Sequence, residues 1–240
     1  MEDYVQQLID NTHPEWHPLL MQALAAMDTD YLQALAQSEV WLPGRQAVFA
    51  AFTQSLTATQ YILLGESPYP RQQSANGYAF WDAAVGDIWS ETGLSKAVNR
   101  ATSLRHWIKM MLHARGDLQG DFSQEAIARL DKSAYIQTLS ELFQGLLNQG
   151  FLLLNASLVY EPKRVPYHAK HWRPFMSTLL RALSQERPDL QLILLGKIAQ
   201  QLTERDSFRC FEAEHPYQLT FINNPHVVDF FQPFNLLDKR

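Results

Sequence analysis

The residues best able to bind or react sit at the ends of short apolar runs. Tyr61-Ile62-Leu63-Leu64 opens into Gly65-Glu66-Ser67-Pro68-Tyr69-Pro70, which sets a carboxylate, a hydroxyl and an aromatic ring in a proline-stiffened turn. Phe151-Leu152-Leu153-Leu154 ends at Asn155, the run over 190–195 ends at Gly196-Lys197, and the run over 208–213 ends at Glu214-His215-Pro216. An amide, an imidazole, a hydroxyl and a ring suit a flat ligand with hydrogen-bonding edges, such as a nucleobase. A carboxamide offers it a donor and an acceptor in one plane. Other chemistries lack their signatures: there is no GxxxxGK[ST] phosphate loop, no dinucleotide GxGxxG and no GxSxG elbow. His13, His17, His106 and His113 show no paired metal spacing and read as ordinary residues. Cys210 is the only cysteine and reads as a small buried hydrophobe. One cysteine excludes a disulfide framework, a cysteine zinc site and an iron–sulfur cluster. No metal and no cofactor is expected.

The elements that must hold these residues alternate. The first 58 residues carry helical patterns broken near His13-Pro14 and Pro43-Gly44. Helical spacing is also expected over 94–112, over 135–147 up to Gly150, from Trp172 to Leu183, and briefly over 197–203. Between them fall four strand candidates, at 60–64, 151–154, 190–195 and 208–213. Strands that are apolar throughout and separated by helices imply an α/β fold with a mostly parallel sheet covered on both faces. In such a sheet ligands gather at the carboxyl ends of the strands, where the reactive residues lie. The 240 residues, 46% hydrophobic, read as a single domain over 1–240 with 1–58 packed on it as a helical portion.

The motifs resemble those of the uracil-DNA glycosylase superfamily. Gly65-Glu66-Ser67-Pro68-Tyr69-Pro70, followed by Ala75-Asn76-Gly77-Tyr78-Ala79-Phe80, is similar to the family's first motif. Leu152-Leu153-Leu154-Asn155, Leu194-Leu195-Gly196-Lys197-Ile198-Ala199-Gln200 and His215-Pro216-Tyr217-Gln218-Leu219-Thr220 resemble the later segments, in order. The resemblance runs over roughly residues 40 to 235. It implies a three-layer α/β/α fold around a central four-stranded, mostly parallel sheet. It implies that Phe80 stacks on a base flipped from DNA, that Asn155 reads the base edge, and that Tyr69 crowds the pyrimidine C5 position. His215 would hydrogen-bond the departing base, Leu219 would wedge into the duplex, and Pro68 and Pro216 would stiffen loops that pinch phosphates.

Departures from the family pattern carry their own expectations. Ser67 stands where the family has its water-positioning aspartate, so it can hydrogen-bond water without supplying charge. Glu66, one residue away, is the alternative source of that charge. Tyr217 and Gln218 replace a Ser-Pro pair, and Pro70 replaces a histidine. These changes point to uracil or a modified pyrimidine as substrate, including a modified cytosine of phage DNA in a defence role. The alternative is a catalytically inactive protein that binds DNA or a protein partner.

Lys163, Arg164, His168, Lys170, His171 and Arg173, interleaved with Tyr167 and Trp172, read as a phosphate-tracking basic loop or as a merely solvated one. The net charge of −5 does not exclude DNA, single- or double-stranded, because a local basic patch can dominate. No apolar stretch approaches a membrane span and no secretory signal is recognised, so a cytoplasmic monomer is expected.

Overall fold

A computed structural model describes residues 2–239. The helices are α1 (Glu2–Ile9), α2 (His17–Ala25), α3 (Thr29–Gln37), α4 (Lys96–Arg100), α5 (Thr102–Ala114), α6 (Gln124–Ala128), α7 (Leu139–Asn148), α8 (Val165–Glu186), α9 (Ile198–Gln201) and α10 (Pro225–Phe231). The strands are β1 (Tyr61–Gly65), β2 (Trp89–Ser90), β3 (Gly93–Leu94), β4 (Phe151–Asn155), β5 (Gln191–Leu195) and β6 (Arg209–Ala213). Two compact units result. One comprises residues 1–83, 150–194 and 198–211; the other comprises 84–149, 195–197 and 212–240.

The first unit is built on the sheet, whose order is β4-β1-β5-β6. β1 pairs in parallel with β4 on one side and β5 on the other. Ile62, Leu63 and Leu64 and all of β4 are buried, which is why these strands are apolar without alternation. The β1–β4 register runs from Tyr61↔Phe151 to Gly65↔Asn155, so the last residues of both strands stand side by side at the carboxyl edge. β1 has neighbours reached by crossovers in both directions, and ligands favour such a switch point. Trp16, Leu20 and Leu24 share one buried core with Trp172, Phe175, Leu179 and Leu183 of α8.

The second unit gathers α4–α7 and α10. Trp107 of α5 meets Phe221 and Phe231 edge-on, at ring-centroid distances of 6.4 and 5.5 Å. α7 opens on a capping box in which Thr138 and Glu141 satisfy each other's backbone N–H groups.

Four expectations need correction. The helix over 94–112 is two helices, because Ala101 adopts φ −92 and ψ 87 between α4 and α5. Residues 135–138 stay extended up to the Thr138 cap, so that helix begins at Leu139. The segment read as a basic loop before Trp172 is already helix: α8 starts at Val165 with Pro166 in its first turn, where a missing N–H leaves no hydrogen bond broken. Cys210 is exposed rather than buried.

Candidate active site

The β1–β4 register explains the first cluster. Asn155 is only 2% exposed, and its carboxamide pairs with no other group among the described residues. A Cβ on Gly65 would stand 2.7 Å from Asn155 Oδ1, 3.0 Å from Ala79 Cβ and 3.6 Å from Phe80 Cε2. Glycine at this strand end therefore lets an amide and an aromatic ring approach one point. The Ala79 N–H donates to the Leu153 carbonyl at 3.0 Å, which lays the segment before Phe80 along β4. Phe80 itself sits at φ +64, the left-handed region that a side chain normally avoids. The Tyr69 hydroxyl donates to the Phe80 carbonyl at 3.1 Å and helps to hold that conformation. Burial, with the nearby Asp82 carboxylate, pushes the Tyr69 phenol up to about 12, so it remains a donor at neutral pH. Asp82, also buried, accepts from Arg71 at 3.0 Å and links the two sides of the same loop.

Ser67 and Glu66 face a different feature. Both line a cavity of about 420 Å³ together with Ala156, Ser157, Arg173 and Glu204. The loops after β1 and β4 are joined there: Ala156 N–H donates to the Gly65 carbonyl at 2.8 Å and Ser157 N–H to the Glu66 carbonyl at 2.9 Å. Glu66 is exposed and Ser67 is half-buried. Burial pushes the Glu204 carboxyl up, but hydrogen bonds from Ser177 and Thr203 outweigh it and hold Glu204 below the usual carboxylate range. Pro68 is buried and shapes the turn rather than presenting a surface.

The basic segment divides. Lys163, Arg164 and Lys170 are exposed. Arg164 is engaged with Glu161 at 3.1 Å and lies 4.3 Å over the Tyr167 ring. His168 is not a phosphate ligand in this arrangement: it is 1% exposed, with Nδ1 2.8 Å from the Tyr31 hydroxyl and Nε2 3.1 Å from Glu161. A neutral ring fits both contacts, accepting from Tyr31 and donating to the carboxylate. Burial pushes its pKa down despite the pull of Glu161. His168 thus ties α8 to α3, a role that its basic neighbours conceal.

In the second unit, the Tyr217 N–H donates to His215 Nδ1 at 3.1 Å. An accepting Nδ1 leaves the proton of a neutral imidazole on Nε2, which becomes the donor. Gly196, at φ +81, gives the ring room, since a Cβ there would stand 2.8 Å from His215 Cβ. Pro216 is buried, whereas Tyr217 and Leu219 are 64% and 70% exposed, as suits residues that meet a partner rather than a core. His106, which the sequence reading passed over, places Nδ1 2.9 Å from the Pro216 carbonyl oxygen. Among the described residues no three His, Cys, Asp or Glu side chains gather as a metal would require, and no helix is long and apolar enough to cross a membrane.

The parallel four-stranded sheet between helices defines an α/β protein with polar side chains at and beyond its strand ends. Residues 53–235 match the model of the uracil DNA glycosylase superfamily. A uracil-DNA glycosylase of Nocardioides sp. is 27% identical over 212 residues, 86% of this chain and 80% of that relative. The wild-type UNG crystal structure from Nitratifractor salsuginis is 40% identical and superposes with TM-score 0.92 over 100% of this chain and 97% of that one. The mimivirus uracil-DNA glycosylase, 16% identical with TM-score 0.60 over 90% of this chain and 73% of that one, shares the fold. The chain belongs to the uracil DNA glycosylase superfamily.

Proposed function

We propose that this DNA glycosylase flips uracil out of DNA and hydrolyses its N-glycosidic bond, leaving an abasic site without strand cleavage. The observation that carries the reading is the buried Asn155 carboxamide, which has no partner among the described residues and stands beside Phe80 across Gly65. A carboxamide with no protein partner keeps its donor and its acceptor available to a ligand. In this reading Asn155 pairs with the pyrimidine edge, Phe80 stacks on its face and Tyr69 fills the space at C5. His215 donates from Nε2 as negative charge develops on the departing base, an interaction stronger in the transition state than before it. Ser67 orients the water, and Glu66, lining the same cavity, supplies the charge that a serine lacks.

Lys163, Arg164 and Lys170 contact phosphates, Pro68 and Pro216 stiffen the loops that face the backbone, and Tyr217 and Leu219 enter the duplex where the base has left. The chain crosses between its two units at 83/84, 149/150, 194/195, 197/198 and 211/212, which supports treating residues 1–240 as one domain. The reading includes a monomer acting in the cytoplasm without metal or cofactor. A second reading, a silent DNA binder, rests on the absence of charge at Ser67.

The deciding experiment incubates the protein with duplexes carrying uracil, a thymine mismatch, hydroxymethylcytosine or glucosylated cytosine, and then reveals abasic sites with alkali. Release of uracil supports the proposal. Release only of a modified cytosine moves the substrate to the defence reading. Tight binding without release from any duplex supports the silent binder.

A further inference from the structure

Residues 92–116 carry five Lys and Arg and no Asp or Glu, in a chain that holds 25 Asp and Glu against 20 Lys and Arg. The stretch folds as α4 and α5. Most of α5 is buried, and the partly exposed stripe it leaves contains Arg105 and Lys109, one helical turn apart on the same face. Lys96 and Arg100 stand in the same relation on α4, both exposed. The Arg105 guanidinium donates to the carbonyl of Asn99, the residue before Arg100, so the second pair continues the first.

Little neutralises this row. The side chains of Lys96, Arg100 and Lys109 make no hydrogen bond and no ion pair among the described residues. The charge of Asp121 reaches Lys109, but Asp121 already accepts from the Ser123 N–H at 2.9 Å and lies 3.8 Å from Arg129. Burial and the Arg105 charge pull the Lys109 ammonium below its usual value, as happens to a cation that the fold leaves uncompensated. Arg115, the fifth base, differs: Asp117 at 2.7 Å and Asp238 hold it.

α5 also supports the segment that carries Leu219. His106, next to Arg105, places Nδ1 2.9 Å from the Pro216 carbonyl oxygen, and Trp107 packs on Phe221. The exposed Tyr217 and Leu219 lie between those two contacts. A duplex that Leu219 enters brings its backbone to the helices that hold this segment.

We infer that Lys96, Arg100, Arg105 and Lys109 form a second phosphate-binding row, on α4 and α5, which grips the DNA backbone beside Leu219. The inference rests on the DNA-glycosylase reading and adds a surface separate from Lys163, Arg164 and Lys170. An acidic protein would also meet the cations, but residues 92–116 expose no large apolar side chain for a protein interface to bury. Phosphates need none.

The test measures affinity for a uracil-containing duplex across a range of salt with wild type, Lys109→Gln, Arg100→Gln and Lys109→Arg, and a thermal melt of each. Each glutamine variant is expected to lower the slope of log affinity against log salt by about 1 and to weaken binding about 5-fold at physiological salt. Lys109→Arg is expected to keep the wild-type slope. Wild-type slopes in the folded glutamine variants would overturn the inference, as would a Lys109→Arg variant as weak as Lys109→Gln. Arg100 is exposed, so Arg100→Gln decides the question even if Lys109→Gln does not fold. Polyglutamate is the second probe: binding as tight as that of the duplex, lost in the same variants, would overturn the assignment to phosphates in favour of an acidic protein. If wild type binds the duplex but releases no uracil, the function reading fails while the slopes still decide the row. If wild type binds no duplex, both fail.

Discussion

The Asn155 carboxamide occupies space that Gly65 leaves open: a Cβ on Gly65 would lie 2.7 Å from Asn155 Oδ1. The two residues face each other because β1 and β4 pair in register to their last residues. Gly65→Ala would push the amide away from the Phe80 ring without touching either side chain's chemistry. It is expected to slow uracil release at least about 100-fold, the scale of a 1 Å misplacement, while the melting temperature falls only slightly. Single-turnover kinetics beside a thermal melt check this. An undiminished rate would mean that Asn155 does not read the base from this position.

Ser67 carries no charge, so restoring one is informative. Ser67→Asp is expected to raise the single-turnover rate on uracil duplexes at least about 10-fold, because a carboxylate stabilises a positive sugar and orients water. Glu66→Gln in the wild-type background is expected to lower it. If neither variant changes the rate, the cavity wall that they share takes no part in activating water.

The His168 contacts predict an acid dependence of stability. Its pKa is lowered in the fold by burial, so the stability it contributes is present above the ordinary histidine value of 6.5 and is lost as pH falls through and below it. His106, lowered by burial too, adds to the same slope. Denaturant titrations on both sides of that value are expected to show stability falling toward acid. His168→Asn is expected to be less stable at neutral pH and to have a shallower slope. A variant slope equal to that of wild type would contradict the assignment.

Exposed cations differ in what they are free to do. Lys163→Ala and Lys170→Ala are each expected to weaken duplex binding and to reduce the slope of log affinity against log salt by about 1, the signature of a lost phosphate contact. Arg164 is already engaged by Glu161 and Tyr167, so Arg164→Ala is expected to change the slope less. Equal slopes for all the variants would move the DNA-binding surface elsewhere.

Strand positions were legible because each apolar run is local and ends on a residue that breaks it: Gly65, Asn155 and Gly196 lie at or just past the ends of their strands. Pro166 and the charges around it concealed the first turns of α8, since proline disfavours a helix everywhere except where this one sits. His168 looked like part of a basic patch because its partner Tyr31 is 137 residues away. His106 looked ordinary for the same reason, its contact with Pro216 spanning 110 residues. The left-handed Phe80 has no sequence signal at all, being neither glycine nor asparagine. Local pattern thus located the strand ends and the residues they carry, while long-range contacts decided which histidines were buried.

The role proposed for Asn155 is to read a flipped uracil whose bond to the sugar is then hydrolysed. Its most direct test is single-turnover release of uracil from a duplex by wild type and by Asn155→Ala, with folding and DNA affinity measured on the same samples. Alkali-labile abasic sites are expected with wild type, and a rate at least about 100-fold lower in the variant, with affinity for DNA largely kept. Equal rates in the two proteins, or no release by wild type from DNA that it binds, would contradict it.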